Sequence, residues 1–397
     1  VVLKFIKISN KFCLIGIITF CVFQIHSVSA SSEPIIRVLI SKNKDLRIRS
    51  DRSIPLTIKG QRFLNKKIKG LTIKNENNRT IIFFDKNKQK IFNLKDKEKF
   101  EVKSSDGRGI WVGQKRYSGK LNLVVFDSEI LVINILGIEQ YLGSVVGSEM
   151  PAKWPLEALK AQAIASRTYA LKQKGNHLYD IDSTQKNQVY NGLESRTYKT
   201  RRAVRSTRSL VLTYENKLIN ALFHSSSGGM TENSQDVWKN QYPYLTGVKD
   251  FDINNPKLRW RRRFSNEELQ KLFPNIGGIK KIEILNITNT GRVKNVKLFG
   301  KYGSDQMSGV DIRKKLNLNS TFMRFKFIED KKNVSYDRVN NFPLEKSLIV
   351  LGQGLGHGVG MSQWGARYMA SKGQKAERIL KHFYKGVRIR PFNKNYL

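Results

Sequence analysis

Two hydrophobic periods divide this chain. From Ile35 to Ile135, apolar residues come in short β-rich runs. Examples are Ile36-Arg37-Val38-Leu39-Ile40, Leu71-Thr72-Ile73, Thr80-Ile81-Ile82-Phe83-Phe84 and Leu121-Asn122-Leu123-Val124-Val125, separated by Lys, Asn, Asp and Gly turns. That pattern predicts strands. Val125 to Val132 reads as a hairpin feeding the next region.

From about Ile138 to Lys174 the period lengthens to that of a helix. Leu156, Leu159, Ala163 and Ala170 fall on one face, while Ala161, Ala165 and Ser166 permit close packing against a neighbour. The run breaks at Met150-Pro151-Ala152-Lys153-Trp154-Pro155. Pro155 suits a first helical turn, and Gly175 supplies a stop.

Further along, Arg201 to Leu212 reads as helix running into strand. Ser265-Asn266-Glu267-Glu268 has capping-box spacing for a short helix. Ile282 to Leu298 predicts a hairpin turning at Asn289-Thr290-Gly291. Ser308 to Leu316 predicts a helix and Phe322 to Phe327 a strand. The Gly-rich stretch Gly352–Gly360 precedes helices at Ser362–Lys372 and Ala376–Tyr384. Segments 86–99 and 330–341, rich in Lys and Asn, carry the least pattern. The expected fold is α+β, with a β-rich N-terminal part (31–135) packed on a helical centre and further mixed α/β elements (136–390).

The first 30 residues stand apart. Lys4, Lys7 and Lys11 precede an uncharged apolar run, Phe12–Ile25, and then Ser27-Val28-Ser29-Ala30. This reads as a secretory signal with cleavage after Ala30, so the protein is expected outside the cytoplasm, in the periplasm or cell wall. Contact with the membrane is expected only through an uncleaved signal. Cys13 and Cys21, the two cysteines, both lie within that segment, which leaves the mature chain without a disulfide or a cysteine-bound zinc. The formal charge is +40, and removing the three signal lysines leaves +37. Such a surface attracts polyanions. For an exported protein, that points to cell-wall carboxylates and anionic polymers rather than nucleic acid. AT-rich codon usage, which favours Lys and Asn, accounts for part of the same excess.

Three islands carry candidate chemistry. In the first, Glu149 closes the run Ile138-Glu139-Gln140-Tyr141-Leu142-Gly143-Ser144-Val145-Val146-Gly147-Ser148-Glu149. A Glu at such a helix junction, crowded by Val145, Val146, Met150 and Trp154, is placed to hold its proton as a general acid. The second island is Phe223-His224-Ser225-Ser226-Ser227-Gly228-Gly229-Met230-Thr231-Glu232, followed by Asp236-Val237-Trp238. The third is Gly354-Leu355-Gly356-His357-Gly358-Val359-Gly360-Met361-Ser362-Gln363-Trp364-Gly365-Ala366-Arg367.

His224 beside three serines admits a nucleophile–base pair, although no Gly-x-Ser-x-Gly elbow is present. His224 and His357 also admit metal binding, a structural hydrogen-bonding role or recognition of sugar hydroxyls. The residue types alone leave these alternatives open.

Taken together and in order, these islands resemble the SpoIID/LytB family of exported bacterial proteins. The resemblance runs through Tyr141-Leu142, Ser148-Glu149-Met150-Pro151, Trp154–Ala163, Ser166-Arg167-Thr168-Tyr169-Ala170, Gln188-Val189-Tyr190 and the two His islands. It implies a peptidoglycan lytic transglycosylase acting on glycan strands stripped of peptide stems. Glu149 would be its catalytic acid and then base, and 136–390 its catalytic region. The alternative that the family offers is a non-catalytic, wall-binding activator of an amidase. Glycan strands are thus the expected partner, with an amidase as a further one, and no cofactor is expected. Some members hold zinc through a His and two Cys near the Gln-Val-Tyr triplet. Asp182 and Asn187 stand at the corresponding cysteine positions here, so no metal is expected. Gln188, Tyr190, His224, Ser226, Thr231, His357 and Gln363 are expected along the glycan groove.

Overall fold

The computed structural model describes residues 33–397 apart from 52–53, 61–62, 77–78, 85–87, 93–97, 128, 176, 239 and 330–345. The expected export signal, the segment 330–341 and part of 86–99 lie outside the described residues. Pro34–Leu397 forms one compact unit. Its mixture of sheets and helices is α+β, as the two periods predict.

The N-terminal part contributes two sheets. One runs in the order Ile181–Asp182, Ile35–Asn43, Glu129–Gly137, Lys120–Phe126, Lys99–Ser104, Leu56–Gly60 and Phe63–Ile68. The other runs Lys115–Tyr117, Ile110–Val112, Asp45–Ser50, Gly70–Glu76, Arg79–Phe84 and Lys88–Phe92. The expected hairpin is the antiparallel pair Lys120–Phe126 and Glu129–Gly137, with Leu123 opposite Val132. Alternation turns Leu121, Leu123, Ile130 and Val132 inward, each almost fully buried. Ile48, Leu71, Ile73 and Ile82 of the second sheet join the same core.

That core continues without a break into the helices. Helix α1 (Ile138–Glu149) leaves directly from the strand ending at Gly137. Helix α2 (Leu156–Lys172) follows the proline break, with Pro155 at its N-cap. Its residues from Ala161 to Leu171 are all buried. A helix apolar or small all round must sit among other elements rather than at a surface. Here it meets α1, α3 (Tyr198–Ser206) and the C-terminal helices at Gln363–Ser371 and Ala376–Phe383. Its five alanines, Ala158, Ala161, Ala163, Ala165 and Ala170, let those neighbours come close.

A second hydrophobic core, not foreseen as separate in the sequence, is built from Leu269, Phe273, Val296, Leu298, Ile312, Leu348 and Val350 among others. After the short helix α4 (Ser234–Val237), it gathers two three-stranded sheets and two helices. These are Arg259–Phe264, Lys346–Gln353 and Met323–Glu329 in one sheet, and Lys281–Ile287, Val293–Phe299 and Ser304–Ser308 in the other. The helices are α5 (Asn266–Leu272), held by the Ser265–Glu268 capping box, and α6 (Gly309–Lys315), capped by Ser308.

The Gly-rich segment then returns the chain to the main core. Gly356 and Gly358 both have positive φ, +117° and +85°. A Cβ on Gly356 would lie 2.8 Å from the His224 Cβ, and one on Gly358 would lie 2.8 Å from the Arg292 guanidinium. Neither position has room or conformational tolerance for a side chain. Met361–Ser362 then pairs in parallel with Phe223–His224, and α7 (Gln363–Ser371) and α8 (Ala376–Phe383) close the chain over α2.

Candidate active site

Glu149 is the last residue of α1. Around its base, Val145, Val146, Met150 and Trp154 are buried, as the sequence placed them. The residue keeps some exposure, but its carboxyl is enclosed. One oxygen, Oε1, accepts the Val189 backbone N–H at 2.6 Å. The other, Oε2, accepts the Gln363 side-chain Nε2 at 3.3 Å. Burial pushes the carboxyl above the ordinary glutamate value, and these two hydrogen bonds, which favour the anion, draw it partly back. The groups that lower it are the neutral Val189 and Gln363, so the basic surface does not set its protonation.

The carboxyl opens on a cleft of about 530 Å³ lined by Val189, His224, Trp238, Arg313, His357 and Gln363 among others. That is within the usual size range for small-ligand sites, roughly 300–1,000 Å³. Among the described residues that line it, Glu149 is the sole carboxylate.

The histidines have defined and different roles. His357 Nδ1 accepts the Val359 N–H at 3.1 Å, so its proton sits on Nε2, which donates to the Phe223 carbonyl at 3.0 Å. His224 Nδ1 donates to the Val359 carbonyl at 3.1 Å. Its Nε2 is buried and has no hydrogen-bond partner among the described residues. Burial pushes the proton affinity of both rings down, that of His357 to about 4, with Arg292 and Arg313 adding to the effect. Both are neutral near pH 7. Because both nitrogens of His357 are engaged by backbone groups, the two rings, 5.4 Å apart, do not present a pair of free metal ligands. Trp238, 41% exposed, packs 5.2 Å from the His357 ring and offers a flat apolar face at the cleft.

The loop between Asp182 and Asn187 is closed by its own side chains. Asn187 Oδ1 accepts the Asp182 N–H at 2.9 Å, and Asn187 Nδ2 donates to the Tyr169 hydroxyl at 3.0 Å. Asp182 Oδ1 accepts the Thr184 N–H and hydroxyl at 2.8 and 2.5 Å. This polar staple holds the turn that presents the Val189 N–H to Glu149.

The residues expected along the groove divide into two groups. His224, His357 and Gln363 line the cleft with Glu149. Gln188, Tyr190, Ser226 and Thr231 lie behind it, each at most 1% exposed. Gln188 accepts the Tyr141 hydroxyl at 3.0 Å and donates to the Ser166 carbonyl at 3.2 Å, tying α1 to α2. The Tyr190 hydroxyl donates to Asn134 at 2.8 Å. Thr231 is fastened to Val248 through its backbone and hydroxyl. Ser226 donates to Asp252 and Ser227 to Asp250, so these serine hydroxyls are committed to carboxylates and not to His224.

Arg313 and the Val189 N–H were not picked out in the sequence. Arg313 sits among Arg313-Lys314-Lys315, where nothing separates it from the general excess of cations. A backbone donor leaves no mark in a sequence at all.

A family model described as SpoIID, stage II sporulation protein, matches residues 126–214, the stretch that runs from the central hairpin through Glu149 and α2 to the strand after α3. Stage II sporulation protein D of Bacillus subtilis (strain 168) is 35% identical over 290 residues, covering 68% of this chain and 79% of that protein. This chain belongs to the SpoIID family. Another relative, an uncharacterised protein of Brachyspira hyodysenteriae, is 34% identical over 286 residues, with 70% of this chain and 73% of that protein covered. The amidase enhancer of Bacillus subtilis is 29% identical over 296 residues, which span 62% of this chain but 40% of that longer protein. Within this SpoIID-family chain, the matched segment contains the proposed acid and the elements that place it. His224, Arg313, His357 and Gln363, which complete the cleft, come from beyond it.

Proposed function

We propose that this SpoIID-family protein is an exported lytic transglycosylase that cleaves peptidoglycan glycan strands, with strands lacking peptide stems as substrate. The observation that carries the reading is an enclosed carboxyl, raised in proton affinity, facing a cleft whose described lining residues include no second carboxylate. Ordinary glycoside hydrolysis uses two carboxyl groups. An internal displacement needs one. Protonated Glu149 gives its proton to the glycosidic oxygen after N-acetylmuramic acid as the C1–O bond breaks. The C6 hydroxyl of the same sugar bonds to C1 and surrenders its proton to the Glu149 carboxylate. The products are a 1,6-anhydro end and a free sugar hydroxyl; water is not consumed, and the acid is regenerated.

The neighbours suit that cycle. The Val189 and Gln363 donors steady the carboxylate midway, while burial makes its reprotonation favourable. Trp238 offers a sugar ring an apolar face. A second reading, activation of a wall amidase without catalysis, is favoured by the similarity to the amidase enhancer.

The experiment is incubation of the chain lacking residues 1–30 with denuded glycan strands, followed by mass spectrometry for anhydro ends. Wild type should release them. Glu149→Gln should lower release by about 100- to 10,000-fold, the usual worth of a general acid, while keeping a cooperative thermal transition. Undiminished release by Glu149→Gln would overturn the role of the acid. Binding of strands by wild type with no anhydro product would favour the amidase reading.

A further inference from the structure

Among the described residues, Arg313 has a charge that no carboxylate answers. It projects from α6, part of the second core, into the cleft that Glu149 faces from the first. Its Nε donates to the Leu318 carbonyl at 3.3 Å, and among the described residues no carboxylate pairs with it. Arg196, similarly enclosed, is met by the hydroxyls of Ser144 and Ser118 and by the Gln140 carbonyl, and the two fully buried arginines are ion-paired. Arg167 is paired with Glu139 at 2.7 Å, and Arg292 with Glu232 at 3.6 Å. Burial lowers the proton affinity of Arg313, but a guanidinium keeps its charge in proteins, so the group is a partly desolvated cation. Its charge is felt across the cleft, where it helps keep His224 and His357 neutral. A half-buried cation without a partner is costly on its own, and a ligand anion relieves that cost.

Resting on the glycan-cleaving reading, we propose that Arg313 is the residue that recognises the lactyl carboxylate of muramic acid and thereby selects strands without peptide stems. The amino-sugar backbone carries N-acetyl and hydroxyl groups, all neutral. Its one ionisable group is the carboxyl of the lactyl ether on the muramic ring. When a peptide stem is attached, that carboxyl is a neutral amide with a bulky substituent. When the stem is gone, it is a planar anion of the shape a guanidinium fork binds through two parallel hydrogen bonds. The linkage broken at C1 and the lactyl ether at C3 belong to the same ring, so acid and cation address one sugar. Lys186 also lines the cleft, but it is exposed and needs no ligand to satisfy it.

The test compares glycan oligomers of one length whose muramic acids carry either the free lactyl carboxylate or its methylamide. Wild type should prefer the carboxylate by about 10- to 100-fold in kcat/KM, the usual worth of a hydrogen bond to a charged group. Arg313→Gln should bring that ratio close to one, and Arg313→Lys should leave an intermediate ratio, with thermal transitions recorded for each. Equal use of the two oligomers by wild type, or a ratio abolished by Lys186→Gln and untouched in Arg313→Gln, would overturn the proposal. Should wild type release no anhydro ends from either oligomer, calorimetric binding to the Glu149→Gln protein decides. A carboxylate preference that vanishes in Glu149→Gln/Arg313→Gln upholds the role of Arg313 while the catalytic reading falls. Binding without preference removes both.

Discussion

Glu149 holds its proton more tightly than an ordinary glutamate because burial makes the charged form costly, and that cost has a pH signature. Its folded value lies above the ordinary glutamate value. The native state therefore binds more protons than the unfolded chain in the window between the two. The stabilisation is complete below the ordinary carboxyl range and is lost as pH rises through the folded value. Glu149→Gln removes the burdened anion and can still accept the Val189 N–H. It should unfold at a temperature equal to or above that of wild type near pH 7, and the difference should close as pH falls below the ordinary carboxyl value. Melting curves across that range check it; a variant less stable at pH 7 and level at low pH would contradict the sign. At this scale the sequence was readable where the chemistry is local. A Glu ending an apolar helix before a proline break announces its own crowding. Arg313 does not, because its significance comes from a partner it lacks in space. Gln188, Tyr190, Ser226 and Thr231 resemble ligand-binding residues in the sequence, yet their polar atoms are used to fasten one element to another.

Helix α2 shows how the site is held. The motif Ser166-Arg167-Thr168-Tyr169-Ala170 faces the interior of the protein. Arg167, 1% exposed, donates Nε and Nη2 to the two oxygens of Glu139 on α1 at 2.9 and 2.7 Å, and Nη1 to the Leu210 carbonyl at 3.0 Å. This clamp joins α2, α1 and the strand Leu210–Tyr214. Arg167→Ala breaks this buried ion pair and removes a fully buried side chain, and should cost about 3–5 kcal/mol, measured by chemical denaturation. Residual folded protein should retain Glu149 chemistry, because Arg167 does not line the cleft. The helices were legible from period, caps and prolines: α1, α2, α5, α6, α7 and α8 lie close to their expected spans. The second core was not. Its strands come from separated segments, and Arg259-Trp260-Arg261-Arg262-Arg263-Phe264 carries too many charges to read as part of a core sheet. Only Lys346–Gln353, paired on both sides, reveals the association.

Across the whole molecule, charge and cleft make separable contributions. A formal charge of +40 spread over the chain attracts any polyanion, whereas the cleft recognises a ligand through a few enclosed groups. Adsorption to purified cell walls bearing anionic polymers should fall by about tenfold or more from low to high salt, as expected for many diffuse ion contacts. Binding of a short glycan oligomer should fall much less, because groups in an enclosed cleft are screened less than exposed ones. Equal salt sensitivity in sedimentation and calorimetric assays would mean that the surface, not the cleft, does the binding.

The glycine-threaded return from the second core to the first has a bearing on how much change the cleft tolerates. With Gly356 pressed on His224 and Gly358 on Arg292, the seam joining the two cores has no slack to take up. A Cβ at either glycine would displace a side chain of the opposite core, so Gly356→Ala or Gly358→Ala should lower the melting temperature and disturb the cleft wall together.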